Sequence, residues 1–462
     1  MRSPSQATRM GSRPASLVSV YFHTLGCPKN EADSRTACRS LVAAGAVVVA
    51  DPDEATHIVI NTCGFIQDAK EESIGAILDA CARYPQKTVL VTGCLVERYR
   101  AELQRGIPEV AGWSGLLEGP EGDKMLRRLG LETPKSLSET PTHPRETPGR
   151  LGGEASLYSA PYAYLKISDG CDELCTFCAI PGIKGAYRSL GRDEILREAA
   201  ALLTEGAKEL VLVGQDTAVW KSDGLDLVGL IDLLAADERV RRIRVMYLQP
   251  EHVTAGFLEY MAEQPKLCRY LDIPFQHSDP EILRRMRRWG DGRAYLGFLE
   301  RARALMPDVA VRSTFIVGFP GEGEAHFGRL LRFVDEAGFD YAGGFVYSPE
   351  EGTRAAAMRP RVGRAIARRR LNRLNALLME RAESRHQQMV GSRVDVMIDS
   401  FEEEDEGETV IAVGRTAGQA PEVDGVTYIE GGLPEGTMVG DIVTVTVSAA
   451  PGYDLVAGGD AS

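Results

Sequence analysis

A parallel α/β domain, a larger strand–helix repeat that closes into a partial or complete parallel barrel, and a small antiparallel β-barrel are predicted, in that order, by this 462-residue sequence. Three observations carry the prediction. Over residues 17–130 short apolar runs (VSVYF, HIVIN, TVLVTG) alternate with helix-like stretches, the signature of a parallel α/β unit. Over residues 157–388 six strand-like runs (YLKIS, ELVLVG, IRVMYL, YLDIP, VRSTFIVG and YAGGFVYS) recur between helical patterns, as in a (β/α) barrel. After a helix ending near Arg385, the runs RVDVMI, ETVIAVGRT, VTYI and DIVTVTV read as short strands of a small β-barrel spanning residues 389–457.

The connecting segments follow from composition. Residues 1–16 are basic and Ser-rich and lack the apolar run of a secretory signal, so a disordered tail is expected. Residues 131–156, LETPKSLSETPTHPRETPGRLGGEAS, have no periodic apolar face and read as a linker. No stretch is apolar enough to span a membrane. Nine cysteines in so long a chain do not form the dense framework of a small secreted domain, so a reducing, cytoplasmic setting is expected and thiolates are free to bind metal.

Charge sets the last module apart. From Met389 to Ser462 there are fifteen acidic residues against Arg393 and Arg415, a net of −13 that equals the charge of the whole chain. Six of the fifteen fall in FEEEDEGE, at residues 402–408. A solvated acidic face that aids solubility explains such a surface as readily as a docking role. A docking role would favour a basic protein and repel a phosphate backbone.

Chemistry concentrates in ISDGCDELCTFCAIPGIKG, where Cys171, Cys175 and Cys178 lie within eight positions directly after a strand. Structural zinc takes four ligands, usually from paired C-x2-C knuckles, and no fourth Cys or His is close in sequence. Asp172, Glu173 and Thr176 make the loop polar, against three merely buried thiols. Three thiolates suit three irons of a four-iron cluster, leaving the fourth open to a small ligand. At the ends of other strands, Gln215 and Asp216 in LVLVGQDT are placed to meet a cofactor, and Gly318 and Pro320 in IVGFPGE allow the backbone to approach one closely.

A second triplet occupies the N-terminal domain. YFHTLGCPKN, HIVINTCGF and TVLVTGCLVERY each carry one cysteine, Cys27, Cys63 and Cys94, just after an apolar run. If these strands are parallel neighbours, the three thiols gather at one edge and suit a second open four-iron cluster. Cys38, Cys81 and Cys268 sit inside helical or strand patterns and read as small buried hydrophobes.

The C-x3-C-x2-C loop after the first barrel strand resembles the radical S-adenosylmethionine (SAM) superfamily. With LGCPKNEADS, NTCGFIQDAKEES, GCLVERY, SDGCDELCTFCAIP, YLDIPFQH, YSPEEGT and GRTAGQAPEVDGVTYI, the chain from about residue 17 to 457 is similar to the methylthiotransferases of that superfamily. The similarity is greatest to the branch that modifies an aspartate of small-subunit ribosomal protein twelve. Its final segment resembles the family's TRAM barrel, with Ala417-Gly418-Gln419 in place of a more acidic run, and in the central domain Leu190, after YRS, stands where a second basic residue is usual. The resemblance implies two [4Fe-4S] clusters. The cluster on Cys171, Cys175 and Cys178 would bind SAM through its amino and carboxylate groups and, once reduced by an external donor, cleave it to a 5′-deoxyadenosyl radical. The cluster on Cys27, Cys63 and Cys94 would carry the sulfur or methylthio group, and a second SAM would supply the methyl. Phe177 matches the aromatic residue that lies against the adenine.

This chemistry suits the unactivated β-carbon of an aspartate, whose C–H has no accessible pKa for acid–base catalysis. A tRNA methylthiotransferase of the same architecture is the alternative. It draws on seven arginines between residues 359 and 373 and on RRMRR at 284–288, and the acidic C-terminal module opposes it. A noncatalytic iron–sulfur scaffold would have no need of the strand-end polar groups.

Overall fold

The computed structural model describes residues 18–117, 120–132, 160–403 and 410–458. The expected tail, most of the expected linker and the acidic run Glu404–Glu408 lie outside these residues. The chain divides into two compact units, one of Met1–Leu25, Ser34–Thr62 and Ser73–Glu154 and one of Gly26–Asp33, Cys63–Glu72 and Ala155–Ser462.

The first unit is built on β1 (Ser19–Thr24), β2 (Val47–Val49), β3 (His57–Thr62), β4 (Thr88–Gly93) and β5 (Gly112–Trp113), a parallel sheet in the order β2-β1-β3-β4-β5. Helices α1 (Pro28–Ala43), α2 (Gln67–Arg83), α3 (Cys94–Gly106) and α4 (Pro120–Arg128) connect or follow these strands, and α1 and α2 enter the unit only beyond their opening turns. Both faces of the sheet are covered, as a parallel sheet requires. Val20, Val59 and Leu90 pack with Leu41 and Leu126 on one face, and Ile58, Ile60, Val89 and Val91 pack with Ile77 and Leu95 on the other.

In the second unit the chain runs through β6 (Tyr162–Lys166), the two-residue ribbon β7 (Ser168–Asp169) and β8 (Arg188–Ser189) with α5 (Ile180–Lys184) between them, then α6 (Arg192–Thr204) and β9 (Glu209–Val213). A second ribbon, β10 (Lys221–Ser222) with β11 (Leu225–Asp226), precedes α7 (Leu227–Ala235), β12 (Arg242–Val245), α8 (Ala255–Glu263) and β13 (Tyr270–Asp272). There follow α9 (Pro280–Met286), α10 (Gly292–Leu305), β14 (Ala310–Val317), α11 (Glu324–Ala337), β15 (Tyr341–Val346) and α12 (Arg364–Gln387). The parallel sheets β6-β9-β12 and β13-β14-β15 meet through a bridge between Ile243 and Leu267, so the six long strands follow one another in chain order. Side chains alternate across this wall. Ala163, Leu165, Leu210 and Leu212 pack against helices, whereas Tyr164, Val211, Val213, Met246 and Tyr270 form a separate cluster with Ala420.

The last five strands, β16 (Arg393–Glu403), β17 (Val410–Thr416), β18 (Thr427–Ile429), β19 (Ile442–Ala449) and β20 (Leu455–Gly458), close into a barrel in the order β16-β17-β18-β20-β19. The sequence indicates an antiparallel barrel. The structure has four antiparallel pairs and one parallel pair, β18 with β20. The reason is arithmetic: directions cannot alternate all the way round a ring of five.

This barrel is fastened at the N-terminal ends of the six long strands. Glu209, at the start of β9 and fully buried, accepts from Arg244 Nε at 2.7 Å and from Arg415 Nη1 at 2.9 Å. Arg415 also donates to both oxygens of Asp399, at 2.6 and 2.9 Å. Tyr162 donates to Glu422 at 2.9 Å, and Tyr270 donates to Asp424 at 2.6 Å. Of the fifteen acidic residues of the module, Asp399, Glu422 and Asp424 therefore serve internal contacts, as do Asp395, Asp441 and Asp454, which accept from Thr444, Met438 and Val426. Ala420, directly after the Ala417-Gly418-Gln419 segment, is buried among the strand ends.

Candidate iron–sulfur and SAM site

The C-terminal ends of the six strands carry the cysteine loop. Gly170 has φ +69°, and a Cβ there would lie 2.1 Å from the carbonyl oxygen of Ala186, so only glycine fits the turn into Cys171. Cys171 N–H then donates to Gly185 O at 3.2 Å, and Cys178 N–H to Cys175 O at 3.2 Å. Thr176 pins the middle of the loop, donating from its N–H to Met286 O at 3.0 Å and from its hydroxyl to Arg285 O at 2.8 Å. Cys171 is buried, and Cys175 and Cys178 are half-buried.

The helix that receives the loop also brings a cation to it. Asp279 caps α9 by accepting from the N–H groups of Glu281 and Ile282, Pro280 occupies the first turn, and Arg287 ends the helix in the left-handed conformation at φ 56°. That turn delivers buried Arg288, whose Nη1 lies 3.8 Å from Cys175 Sγ and also donates to Gln249 Oε1, while Nη2 donates to Pro274 O at 2.8 Å. Burial pushes the Cys171 thiol up to about 11 and the Cys178 thiol up to about 12. Burial likewise raises Cys175 in spite of Arg288. The metal-free loop therefore holds thiols, and binding iron must release their protons.

Among the predicted SAM contacts, Gln215 and Asp216 stand just beyond β9. Gln215 Oε1 is buried with no hydrogen-bond partner among the described residues, an acceptor waiting for a donor. Asp216 Oδ2 lies 2.6 Å from His252 Nδ1, and His252 Nε2 lies 3.8 Å from Glu173 Oε1 in the cysteine loop. Donation to the Asp216 carboxylate raises the His252 pKa. His252 carries no sequence signal of its own, because its partners lie 36 and 79 positions away.

Phe177, Gly318 and Pro320 fall into a packed neighbourhood. The Phe177 ring meets Phe319 edge to face, with centroids 6.5 Å apart. Gly318 has φ +77°, and a Cβ there would lie 2.5 Å from Ala367 Cβ, so close approach of helix α12 requires this glycine. The N–H groups of Gly318 and Phe319 donate to Glu322 Oε2 at 2.7 and 3.3 Å, and Glu322 Oε1 accepts from Arg370 Nη1 at 2.8 Å. Buried Pro320 presents its carbonyl to Arg285 Nη1 at 3.4 Å. Two of the arginines behind the RNA alternative, Arg370 and Arg288, are thus internal, while Arg364, Arg368 and Arg369 are exposed.

The other triplet follows three neighbouring strands. Cys27 comes three residues after β1, Cys63 one after β3, and Cys94 one after β4. A Cβ on Gly26 would lie 2.6 Å from Cys63 Cβ and 3.1 Å from its Sγ, so the chain entering Cys27 presses against Cys63. Gly93, with φ +100°, presses in the same way on Asn61 and Thr62 at the end of β3. Cys38 and Cys268 are buried and Cys81 is half-buried, and none of the three follows the C-terminal end of a strand as the two triplets do.

Three family descriptions match the chain: Uncharacterized protein family UPF0004 over residues 19–115, Radical SAM superfamily over 165–334, and TRAM domain over 390–458. The ribosomal protein uS12 methylthiotransferase RimO of Anaeromyxobacter sp. (strain Fw109-5) is 40% identical over 451 residues, covering 95% of this chain and 92% of that protein. The chain belongs to the RimO family. The RimO of Thermotoga sp. (strain RQ2) is 40% identical, covering 94% of this chain and 98% of its own, and that of Aquifex aeolicus is 39% identical, covering 94% and 95%. Among solved structures, the radical SAM methyltransferase TsrM of Kitasatospora setae, with cobalamin and a [4Fe-4S] cluster bound, shares the fold at TM-score 0.52 and 14% identity, over 73% of this chain and 77% of that one. As a RimO-family member the chain is a transferase of the radical SAM class, a class that works with a [4Fe-4S] cluster and SAM. The residues present fit that pair: three thiols on a glycine-turned loop, a cation at one sulfur, and an unsatisfied buried amide oxygen at the next strand end. Among the described residues, no helix is long and apolar enough to cross a membrane.

Proposed function

We propose that this chain is a cytoplasmic methylthiotransferase that places a methylthio group on the β-carbon of an aspartate in ribosomal protein uS12. The single observation that carries the substrate reading is the 40% identity to RimO proteins across nearly the full length of both chains. When bound, the reduced cluster and SAM supply a 5′-deoxyadenosyl radical able to take hydrogen from an unactivated carbon.

The protein's part is to hold and orient. Cys171, Cys175 and Cys178 ligate the SAM-cleaving cluster, with Arg288 balancing thiolate charge at Cys175. Gln215 and Asp216 face SAM from the end of β9, Gly318 and Pro320 shape the neighbouring turn, and Phe177 borders the adenine side. Cys27, Cys63 and Cys94 ligate an auxiliary cluster, supported by their succession after three adjacent parallel strands. An external donor supplies the electron. The acidic C-terminal barrel docks the basic ribosomal protein through the acidic residues that do not serve internal contacts.

The reading is tested by mass spectrometry of uS12 and tRNA from cells lacking the gene and from complemented cells. Loss and recovery of methylthiolation on uS12 alone is the expected result. Loss on tRNA with uS12 unaffected would overturn it in favour of the RNA enzyme.

A further inference from the structure

Lys29 stands two residues after Cys27, in the first turn of α1 and within the second compact unit. Its ammonium lies 3.2 Å from the centroid of the Tyr247 ring. Tyr247 comes two residues after β12, at the strand ends that carry the SAM loop, and adopts the left-handed conformation at φ 62°, uncommon for a non-glycine residue. Its N–H is tied to Asp272 Oδ2 at 2.9 Å.

Other cations of the second unit are occupied. Lys166 and Lys184 share Asp33 and Asp169, Arg312 pairs with Asp272 at 2.9 Å, and Lys70 pairs with Glu350 at 2.9 Å. Lys29 differs: among the described residues no carboxylate lies at ion-pair distance from it, although Asp33 is one helical turn further on. An aromatic face holds an ammonium without neutralising its charge, so the far side of Lys29 remains able to take an anion.

We infer that Lys29 binds the carboxylate of the substrate aspartate and thereby selects aspartate over its amide. The inference rests on the proposed substrate. The carboxylate is bonded directly to the β-carbon to be modified, so a β-carbon brought to sulfur beside Cys27 carries an anion that needs a cation within a few ångströms. Tyr247 is the positioning residue that seats it.

The test is a double-mutant cycle read as binding to the anaerobically reconstituted enzyme, using uS12 with its target aspartate or with asparagine there. Wild type should bind the aspartate form about tenfold or more tightly than the asparagine form. Lys29→Gln should abolish that preference with iron content unchanged, and Lys29→Arg should retain it. Equal weakening of both forms by Lys29→Gln, or none, would make Lys29 a structural contact only and overturn the inference, as would a wild type indifferent to the substitution. If Lys29→Gln loses iron, Lys29→Arg decides alone, since loss of the preference with iron retained also overturns it. Failure of the unmutated enzyme to methylthiolate uS12 would instead overturn the substrate reading, and the inference with it.

Discussion

Replacing Arg415 by alanine would strip Glu209 and Asp399 of their shared cation while leaving both enclosed. Glu209 is fully buried, and Arg415 and Arg244 take one oxygen each. Removing one member of a buried ion pair costs about 3–5 kcal/mol, and here Asp399 loses the guanidinium bonded to both its oxygens while Glu209 keeps only Arg244. Burial raises the Glu209 carboxyl, and Arg415, Arg244 and Arg242 outweigh burial and bring it from 4.5 to about 2. That depression corresponds to roughly 3 kcal/mol of stability, of the same order as the mutational figure. Because the folded pKa lies below the unfolded one, this stability is present above pH 4.5 and is lost as pH falls towards 2. The assay is amide hydrogen exchange of residues 410–429, the segment fastened beneath the long strands. Arg415→Ala should speed their exchange by about a hundredfold to several thousandfold, and part of the loss should be regained when Asp399, left without its cation, is also replaced by asparagine. Exchange within threefold of wild type, or a double variant worse than the sum of the singles, would refute the claim that this ion network fastens the C-terminal barrel.

Other outcomes follow from the same contacts. Reconstituted protein should hold roughly eight irons per chain, and Cys175→Ala and Cys63→Ala should each lose about half; only Cys63→Ala should still cleave SAM, and equal loss of cleavage would refute the division of labour. Gly170→Ala, forcing a side chain against Ala186 O from a left-handed backbone, should deplete the SAM-cleaving cluster alone, and full iron by chemical analysis would contradict this. Neutralising Glu402, Glu403, Glu404, Asp405, Glu406 and Glu408 should weaken binding of uS12 and flatten its salt dependence, since exposed charges act only within about 8 Å at physiological salt. If the substrate were tRNA, that change would strengthen binding and the loss would come from exposed Arg368 and Arg369, so titrations with both substrates decide by sign.

How much of this was legible in the sequence differs from element to element. The six long strands were, because each is a short apolar run closed by Gly, Pro or a polar residue, and such runs report local burial. So were the strand-end cysteines, whose spacing needs no tertiary information. The short strands β2, β5 and β20 escaped, although β12, β13 and β18 are as short and were legible from the longer apolar runs that overlap them. His252 was invisible because its meaning lies in contacts to Asp216 and Glu173. Gly318 was legible as a glycine that lets a ligand approach the backbone closely, and in the structure Ala367 of α12 is what approaches it. Arg370 and Arg288 looked like surface charge within arginine-rich runs and proved internal, because Glu322 and Cys175 wait for them 48 and 113 positions away. The acidity of the last barrel looked like a uniform surface, yet Asp399, Glu422 and Asp424 face Arg415, Tyr162 and Tyr270. Charge counted along a chain cannot separate a buried partner from a solvated face.

The most direct test of the whole account is a single turnover with purified components: anaerobically reconstituted enzyme, a reductant, a sulfur source, SAM, and uS12 offered together with tRNA, followed by tandem mass spectrometry of both. The account predicts one methylthio group in place of one hydrogen on an aspartate side chain of uS12, with tRNA unchanged. Methylthio-adenosine in the tRNA, with every aspartate of uS12 unmodified, would contradict it.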